Sequence, residues 1–358
     1  MLKAIDYAKI TCDTMIRTFS AENLPPKGYF HYHQGVFLSG MLNTYKQCNE
    51  EKYLNYIKDW VDSVINEDGS ILTLREYMLD DIQPAILLFD LMKKSDDSRY
   101  AAALEKLMDV VSRWSCNPMG GFWHKLHRIN EMWLDGLYMV GPLQAMYSEH
   151  TGNMIYLDNA INQAIIMRDN MQDKETKLLP QAWDYYKRAD WADPETGLSP
   201  EVWGRALGWY VVAILDILEF TPKNYKGRDT LVQIEADVLN ALLKYQDKDS
   251  GMWYQIVNKP LEKDNWLETS CSTLFAYAMA KAVRMGICGK EYLDAARRAY
   301  EGIIERYVKI EDGDISISGI CVGTNVCDYK GYIERPTSTN DLHGTGAFLL
   351  MCSELDRS

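Results

Sequence analysis

Residues 205–219 read RALGWYVVAILDILE, and from Ala206 to Leu215 no side chain carries a charge. A helix that is apolar on every side has no face to give to water, so it belongs inside other helices. Three further stretches share that character: IQPAILLFDLM (82–92), GLYMVGPLQAMYS (136–148) and STLFAYAMAKAV (272–283). The segments between them read differently. In EKYLNYIKDWVDSVINEDG the residues Tyr53, Ile57, Trp60, Val61, Val64 and Ile65 fall on one helical stripe, with charges on the opposite side. Tyr100, Leu104, Leu107, Val111 and Trp114 repeat that stripe, as do Tyr292, Ala296, Ala299, Ile303 and Tyr307.

Each amphipathic helix is expected to close at a glycine turn, at Gly69, Gly120 and Gly313. A tyrosine opens them in succession at Tyr53, Tyr100, Tyr156, Tyr225 and Tyr292, after a first helix that carries Tyr7. The spacing is about one helical hairpin, which points to an array of helix pairs. An amphipathic outer set around an apolar inner set makes a toroid. The predicted fold is therefore all-α, an (α/α)6 barrel over residues 1–358 as one domain. An open solenoid of the same hairpins is the alternative, and the all-round apolar inner set argues for closure.

A net charge of −13 argues against a nucleic-acid surface and gives no support for an anionic membrane as partner. The eight cysteines form no C-x-x-C pair and read as reduced thiols, which suits a cytoplasmic protein. Lys3, Asp6, Lys9 and Asp13 interrupt the opening residues, so no secretory leader is expected there. No P-loop, dinucleotide fingerprint or G-x-S-x-G occurs, and no cofactor is expected. His31, His33, His124 and His127 lack an H-E-x-x-H or Cys/His frame, so no metal is expected either. Monomer and homo-oligomer stay equally open.

Polar and aromatic residues gather where inner helices begin. Asp80 and Asp81 precede IQPAILLF, Asp135 precedes GLYMVGP, Trp203 and Arg205 open ALGWYVV, and Asn340, Asp341 and His343 precede GTGAFLLMCSEL. Inner helices of a toroid run parallel, so these starts should share one mouth. Each Asp also suits a helix N-cap, and for Asp135 the cap and a chemical role stand level on local pattern. A capping box is missing there, since position 138 is Tyr. The flanks HYHQGVF (31–37), GGFWHKLH (120–127), QAWDYY (181–186) and EVWGRALGWY (201–210) supply rings and hydrogen-bonding groups suited to a sugar. Arg205 can grip a carboxylate bidentately. Trp209, inside an inner helix, reads equally well as core.

The motifs HYHQGVF, LDDIQ (79–83), GGFWHK, MWLDGLYM (132–139), SPEVWGRALGWY (199–210), DNWLETS (264–270) and STNDLHGTGAF (338–348) run through nearly the whole chain. Taken together they resemble the unsaturated rhamnogalacturonyl hydrolases, glycoside hydrolase family 105. The resemblance implies an (α/α)6 barrel that removes a 4,5-unsaturated galacturonyl unit from rhamnose in fragments left by pectin lyases. It implies Asp135 as general acid/base, Asp80 as the second essential carboxylate, and substrate contacts from His124, Trp203, Arg205 and Trp209. His33, Gln181 and His343 complete the candidate substrate-binding set. One departure stands out: members of the family carry His before Ala-Trp-Asp, where this chain has Gln181, which hydrogen-bonds but carries no charge.

The chemistry that follows needs one acid/base in a pocket rather than the paired carboxylates of ordinary glycosidases. A helix N-terminus lowers the pKa of Asp135, while burial and a neighbouring Asp80 raise it. An acid active near neutral pH requires the second pair to win. Competing readings are an unsaturated glucuronyl hydrolase acting on glycosaminoglycan disaccharides, a sugar epimerase on the same barrel, and a non-catalytic sugar-binding toroid.

Overall fold

A computed structural model describes residues 2–357. The helices in chain order are α1 (Ala4–Thr18), α2 (Tyr32–Cys48), α3 (Glu51–Val64), α4 (Ile86–Lys94), α5 (Ser98–Ser112), α6 (Leu134–Thr151) and α7 (Ile155–Met171). They continue with α8 (Gly204–Glu219), α9 (Arg228–Tyr245), α10 (Thr269–Arg284), α11 (Lys290–Tyr307), the short α12 (Tyr329–Ile333) and α13 (Leu342–Arg357). Burial divides the long ones into two sets. In α8 every residue from Gly204 to Leu215 is buried, whereas α3 buries one face and leaves the other to solvent. The inner ring is α2, α4, α6, α8, α10 and α13, each packed on the next, and α13 closes the circle against α2. Outer helices α3, α5, α7, α9 and α11 follow their inner partners, and α1 packs on α13 to complete the sixth pair. The expected (α/α)6 barrel is the observed architecture.

Closure is tight at the seam. A methyl on Gly40 of α2 would lie 2.6 Å from Leu349 Cβ, and one on Gly346 of α13 would lie 2.5 Å from the Val36 carbonyl carbon. Glycine is required at both positions because the two backbones occupy the space of a side chain.

Connections from inner to outer helices are short, such as 49–50 and 95–97. Those from outer back to inner are long, at 65–85, 113–133, 172–203, 246–268 and 308–341. All the long loops therefore gather at one mouth, where the inner helices begin. They carry short strands that an all-α expectation lacks: β1 (Glu131–Trp133) with β2 (Ala182–Asp184), β3 (Val308–Glu311) with β4 (Asp314–Ile317), and β5 (Ile320–Cys321) with β6 (Thr337–Ser338), each pair antiparallel.

Some boundaries differ from expectation. The helix expected over 82–92 starts at Ile86, because two 3₁₀ turns at Leu79–Asp81 and Gln83–Ala85 precede it and Pro84 withholds an N–H. Gly69 and Gly120 lie beyond their helices in left-handed turns, and Gly313 turns the β3–β4 hairpin with Asp312. Among the described residues no helix is long and apolar enough to cross a membrane.

Candidate active site

Backbone hydrogen bonds sew the long loops into a collar around the mouth. The Leu79 N–H donates to the His124 carbonyl (3.1 Å), His124 N–H to Glu131 O (2.9 Å), and Leu134 N–H to Gln181 O (2.9 Å). The series continues from Gln181 N–H to Glu201 O (3.2 Å) and from Gly204 N–H to Gln255 O (2.9 Å). Asp80, His124, Trp133, Asp135 and Arg205 are thereby fixed relative to one another although up to 125 residues separate them. They line one cavity of about 650 Å³, open in part to solvent, together with His31, Tyr32, His33, Met78, Lys125, Met139, Trp203 and Gly323–Asn325.

Asp135 is not a cap. Helix α6 begins at Leu134 with Trp133 at the N-cap, which places Asp135 inside the first turn. Its Oδ2 is buried with no hydrogen-bond partner among the described residues. Burial raises its pKa, its own backbone N–H lowers it, Asp80 raises it again, and Arg205 and Lys125 pull it down; the carboxyl is held at about 6. The opposed influences foreseen for this residue therefore resolve in favour of a raised pKa, with the carboxyl half protonated near pH 6.

Asp80 is the opposite case. Burial would raise it, but His124, Lys125, His31 and His33 outweigh burial, and it stays below the ordinary carboxylate value. Its Oδ1 lies 3.4 Å from His124 Nε2 and its Oδ2 3.6 Å from Lys125 Nζ. His124 is pushed down to about 4, chiefly by burial, so its ring is neutral above that pH. The cation that keeps Asp80 ionised at neutral pH is then Lys125. Two neighbouring carboxyls with divided protonation are the arrangement an acid/base pair needs. Asp81, the other half of LDDIQ, turns away and holds Arg75 with both oxygens at 2.6 Å.

Aromatic walls complete the cavity. The His124 ring stacks on Trp133 at 4.5 Å, and Lys125 Nζ sits 5.2 Å above the same indole. Arg205 stacks its guanidinium on Trp203 at 4.4 Å. Its fork is already engaged, since Nη1 donates to the Cys321 carbonyl and Nη2 to the Val322 carbonyl (2.8 Å). Two of its five N–H groups thus hold the loop that supplies Gly323–Asn325, while Arg205 still lines the cavity.

Three candidates do not line the cavity. Gln181 is fully buried and accepts a hydrogen bond from the Tyr332 hydroxyl behind Trp203. Trp209 is fully buried, stacked on Tyr138 at 4.6 Å, and belongs to the core. His343 is fully buried below His33, the ring centroids 4.9 Å apart, with Nδ1 2.8 Å from Asp341 Oδ1. His33 lines the cavity, and with Asp341 and His343 it forms a group that could hold a metal ion. Sequence reasoning missed Tyr32, Lys125, Trp133 and the 323–325 loop as cavity residues. Lys125 was adjacent to a chosen histidine, and only the collar reveals that both face inward.

Comparison with known proteins agrees with this architecture. Residues 7–358 match the family described as Glycosyl Hydrolase Family 88. The structure of a family 105 glycoside hydrolase from C. acetobutylicum ATCC 824 superposes with a TM-score of 0.94 at 34% identity, covering 98% of this chain and 99% of that one. The unsaturated rhamnogalacturonyl hydrolase YesR of Bacillus subtilis is 26% identical over 333 residues, 90% of this chain and 88% of the relative. The unsaturated glucuronyl hydrolase of Bacillus sp. GL1 shares the fold, with a TM-score of 0.71 at 17% identity over 97% of this chain and 94% of that one. The chain belongs to the glycoside hydrolase family 88 and 105 group, glycosidases built on the (α/α)6 barrel.

Proposed function

We propose that the protein removes the 4,5-unsaturated galacturonyl residue from rhamnose in rhamnogalacturonan-derived oligosaccharides. The observation that carries this reading is one cavity holding a protonatable Asp135, an ionised Asp80, the Lys125 ammonium and the faces of Trp133 and Trp203. The inner helices direct their N-termini towards the same mouth, a field that favours an anionic sugar. Lys125 is the cation placed to meet a uronate carboxylate, and the indoles suit the apolar faces of sugar rings.

The unsaturated uronide is a vinyl ether. Asp135 delivers its proton to C4 and then draws one from the water that adds at C5. The resulting hemiketal opens, and the hemiacetal left at C1 releases the rhamnose hydroxyl. Net consumption is one water. Asp80, held ionised, stabilises the positive charge that develops at C5 and the ring oxygen. The likeness to YesR supports the rhamnose-linked substrate. The eight unpaired cysteines support a cytoplasmic setting, in which short oligosaccharides are imported before cleavage.

The test follows loss of the alkene's ultraviolet absorbance on unsaturated galacturonyl-rhamnose beside unsaturated chondroitin disaccharide. Turnover of the first by wild type, with nearly all of it lost in Asp135→Asn at intact fold, is the expected result. Turnover of hexosamine-linked substrates alone would assign the enzyme to glycosaminoglycans instead. Binding with no loss of alkene would make it a sugar-binding toroid.

A further inference from the structure

At the seam of the barrel three side chains from α2 and the start of α13 converge. His33 is set by the first turn of α2, Asp341 immediately precedes α13, and His343 lies in its first turn. One potential ligand atom from each lies within 4.8 Å of the others. Asp341 Oδ1 is 3.5 Å from His33 Nδ1 and 2.8 Å from His343 Nδ1. Donors around a tetrahedral ion with bonds of about 2.0–2.1 Å stand roughly 3.3–3.5 Å apart. The His33–Asp341 edge already has that length, the His343–Asp341 edge is shorter, and all three ligand atoms stay within 4.8 Å of one another.

We propose that His33, Asp341 and His343 form a binding site for a divalent transition-metal ion, which clasps the first inner helix to the last. A second observation points the same way. His343 is fully buried: its Nδ1 faces Asp341 Oδ1 at 2.8 Å, and its Nε2 lacks a hydrogen-bond partner among the described residues. An imidazole nitrogen left unmet in the interior is expensive, and a metal ion is a partner that either ring nitrogen can take. His33 is equipped with an outer partner as well: Nε2 is 2.9 Å from the Tyr32 hydroxyl. With the proton on Nε2 donated to Tyr32, the Nδ1 lone pair faces Asp341, as in metal-bound histidines oriented by an outer hydrogen bond.

Two imidazoles and one carboxylate favour Zn²⁺, Ni²⁺, Co²⁺ or Fe²⁺ over Mg²⁺ and Ca²⁺, which prefer all-oxygen shells. Arg205 acts on the same group and opposes a cation. Its guanidinium is hydrogen-bonded to the Cys321 and Val322 carbonyls, and Asp341 stays ionised to balance it. The ion would lie under the cavity wall, holding His33 in place rather than taking part in bond making.

Binding is read without turnover. Untagged protein, purified with no metal-affinity step, is stripped with chelator and titrated with ZnCl₂, NiCl₂ and MgCl₂ under calorimetry and thermal denaturation. Wild type is expected to take up one equivalent of Zn²⁺ or Ni²⁺ and no Mg²⁺, with Tm rising on the order of 3 °C at a hundredfold excess over Kd. His343→Gln and Asp341→Asn should lose at least about a hundredfold in affinity, while His127→Gln and His150→Gln bind as wild type. Should the seam variants not fold, X-ray absorption on loaded wild type decides, by reporting two imidazole nitrogens at about 2.0 Å. Failure of wild type to bind a stoichiometric ion overturns the proposal. So does unchanged affinity in His343→Gln, or an absorption spectrum of oxygen ligands alone.

Discussion

Replacing Asp135 by Asn should remove activity and at the same time stabilise the fold, but only above a defined pH. In the folded protein this carboxyl is held at about 6, against an ordinary value of 3.8. The folded state therefore binds more protons than the unfolded chain between those values, and stability falls as pH rises through that window. Below about pH 4 the carboxyl is protonated in both states and the penalty is absent. Above pH 6 it is fully present. At 1.36 kcal/mol per pKa unit, the gap between 3.8 and about 6 amounts to about 3 kcal/mol. Asn keeps the shape and cannot ionise, so it escapes that penalty while still leaving a buried amide to satisfy. With an unfolding entropy of roughly 2.1 cal/mol/K per residue, a chain of this length gains up to about 4 °C in Tm. The assay is thermal denaturation of wild type and Asp135→Asn from pH 4.5 to 8, beside the absorbance assay of turnover. The variant's advantage should grow from about a third of its full size at pH 4.5 to its full size by about pH 7. An advantage that does not change with pH, or a variant less stable than wild type at pH 7.5, refutes the placement of an unpaired acid in this pocket.

The same assignment shapes the pH dependence of kcat/KM, which should be level just below pH 6 and fall about tenfold per pH unit above it; a descending limb near pH 8 would remove Asp135 as the proton donor. Gln181→Ala should destabilise the protein by about 1–3 kcal/mol by stranding the Tyr332 hydroxyl, with KM unchanged within about twofold; a large rise in KM, measured on the disaccharide, would return Gln181 to the cavity. Gly346→Ala should cost about 1–3 kcal/mol in chemical denaturation, since its methyl would lie 2.5 Å from backbone carbon of Val36. Wild-type stability for that variant would mean the α2–α13 seam is looser than described.

The barrel was legible because its two rings differ in composition. Apolar runs such as 205–219 and one-sided stripes such as 51–65 are statements about solvent, and the structure obeys them. Asp80, Trp203, Arg205 and Asp135 could be gathered at one mouth for the same reason: they begin, or closely precede, inner helices, whereas His124 came from the family resemblance alone. What stayed hidden depends on backbone pairing between distant loops. Nothing in the local pattern states that Leu79 bonds to residue 124, or 134 to 181, and those bonds decide which side of a loop faces the cavity. Gln181 was misplaced for that reason. Its carbonyl is taken by the collar and its amide points to Tyr332. Trp209 sits five residues beyond Gly204, the first residue of α8, too deep for the mouth. Lys125 escaped notice because a lysine beside a histidine in a loop looks like a solvated charge.

The pairing of α1 with α13 has a consequence for the order of events during synthesis. Helix α1 cannot find its partner until α13 emerges, more than 300 residues later. Until then five inner helices, apolar on nearly every side, stand in an open arc with two unprotected flanks. A nascent chain in that state is sticky, and its neighbours on a polysome carry the same exposed arc. The helix at 342–357 thus acts as a keystone in time as well as in space. A ribosome that stalls before it leaves not a partly working enzyme but an object suited to a chaperone or a protease.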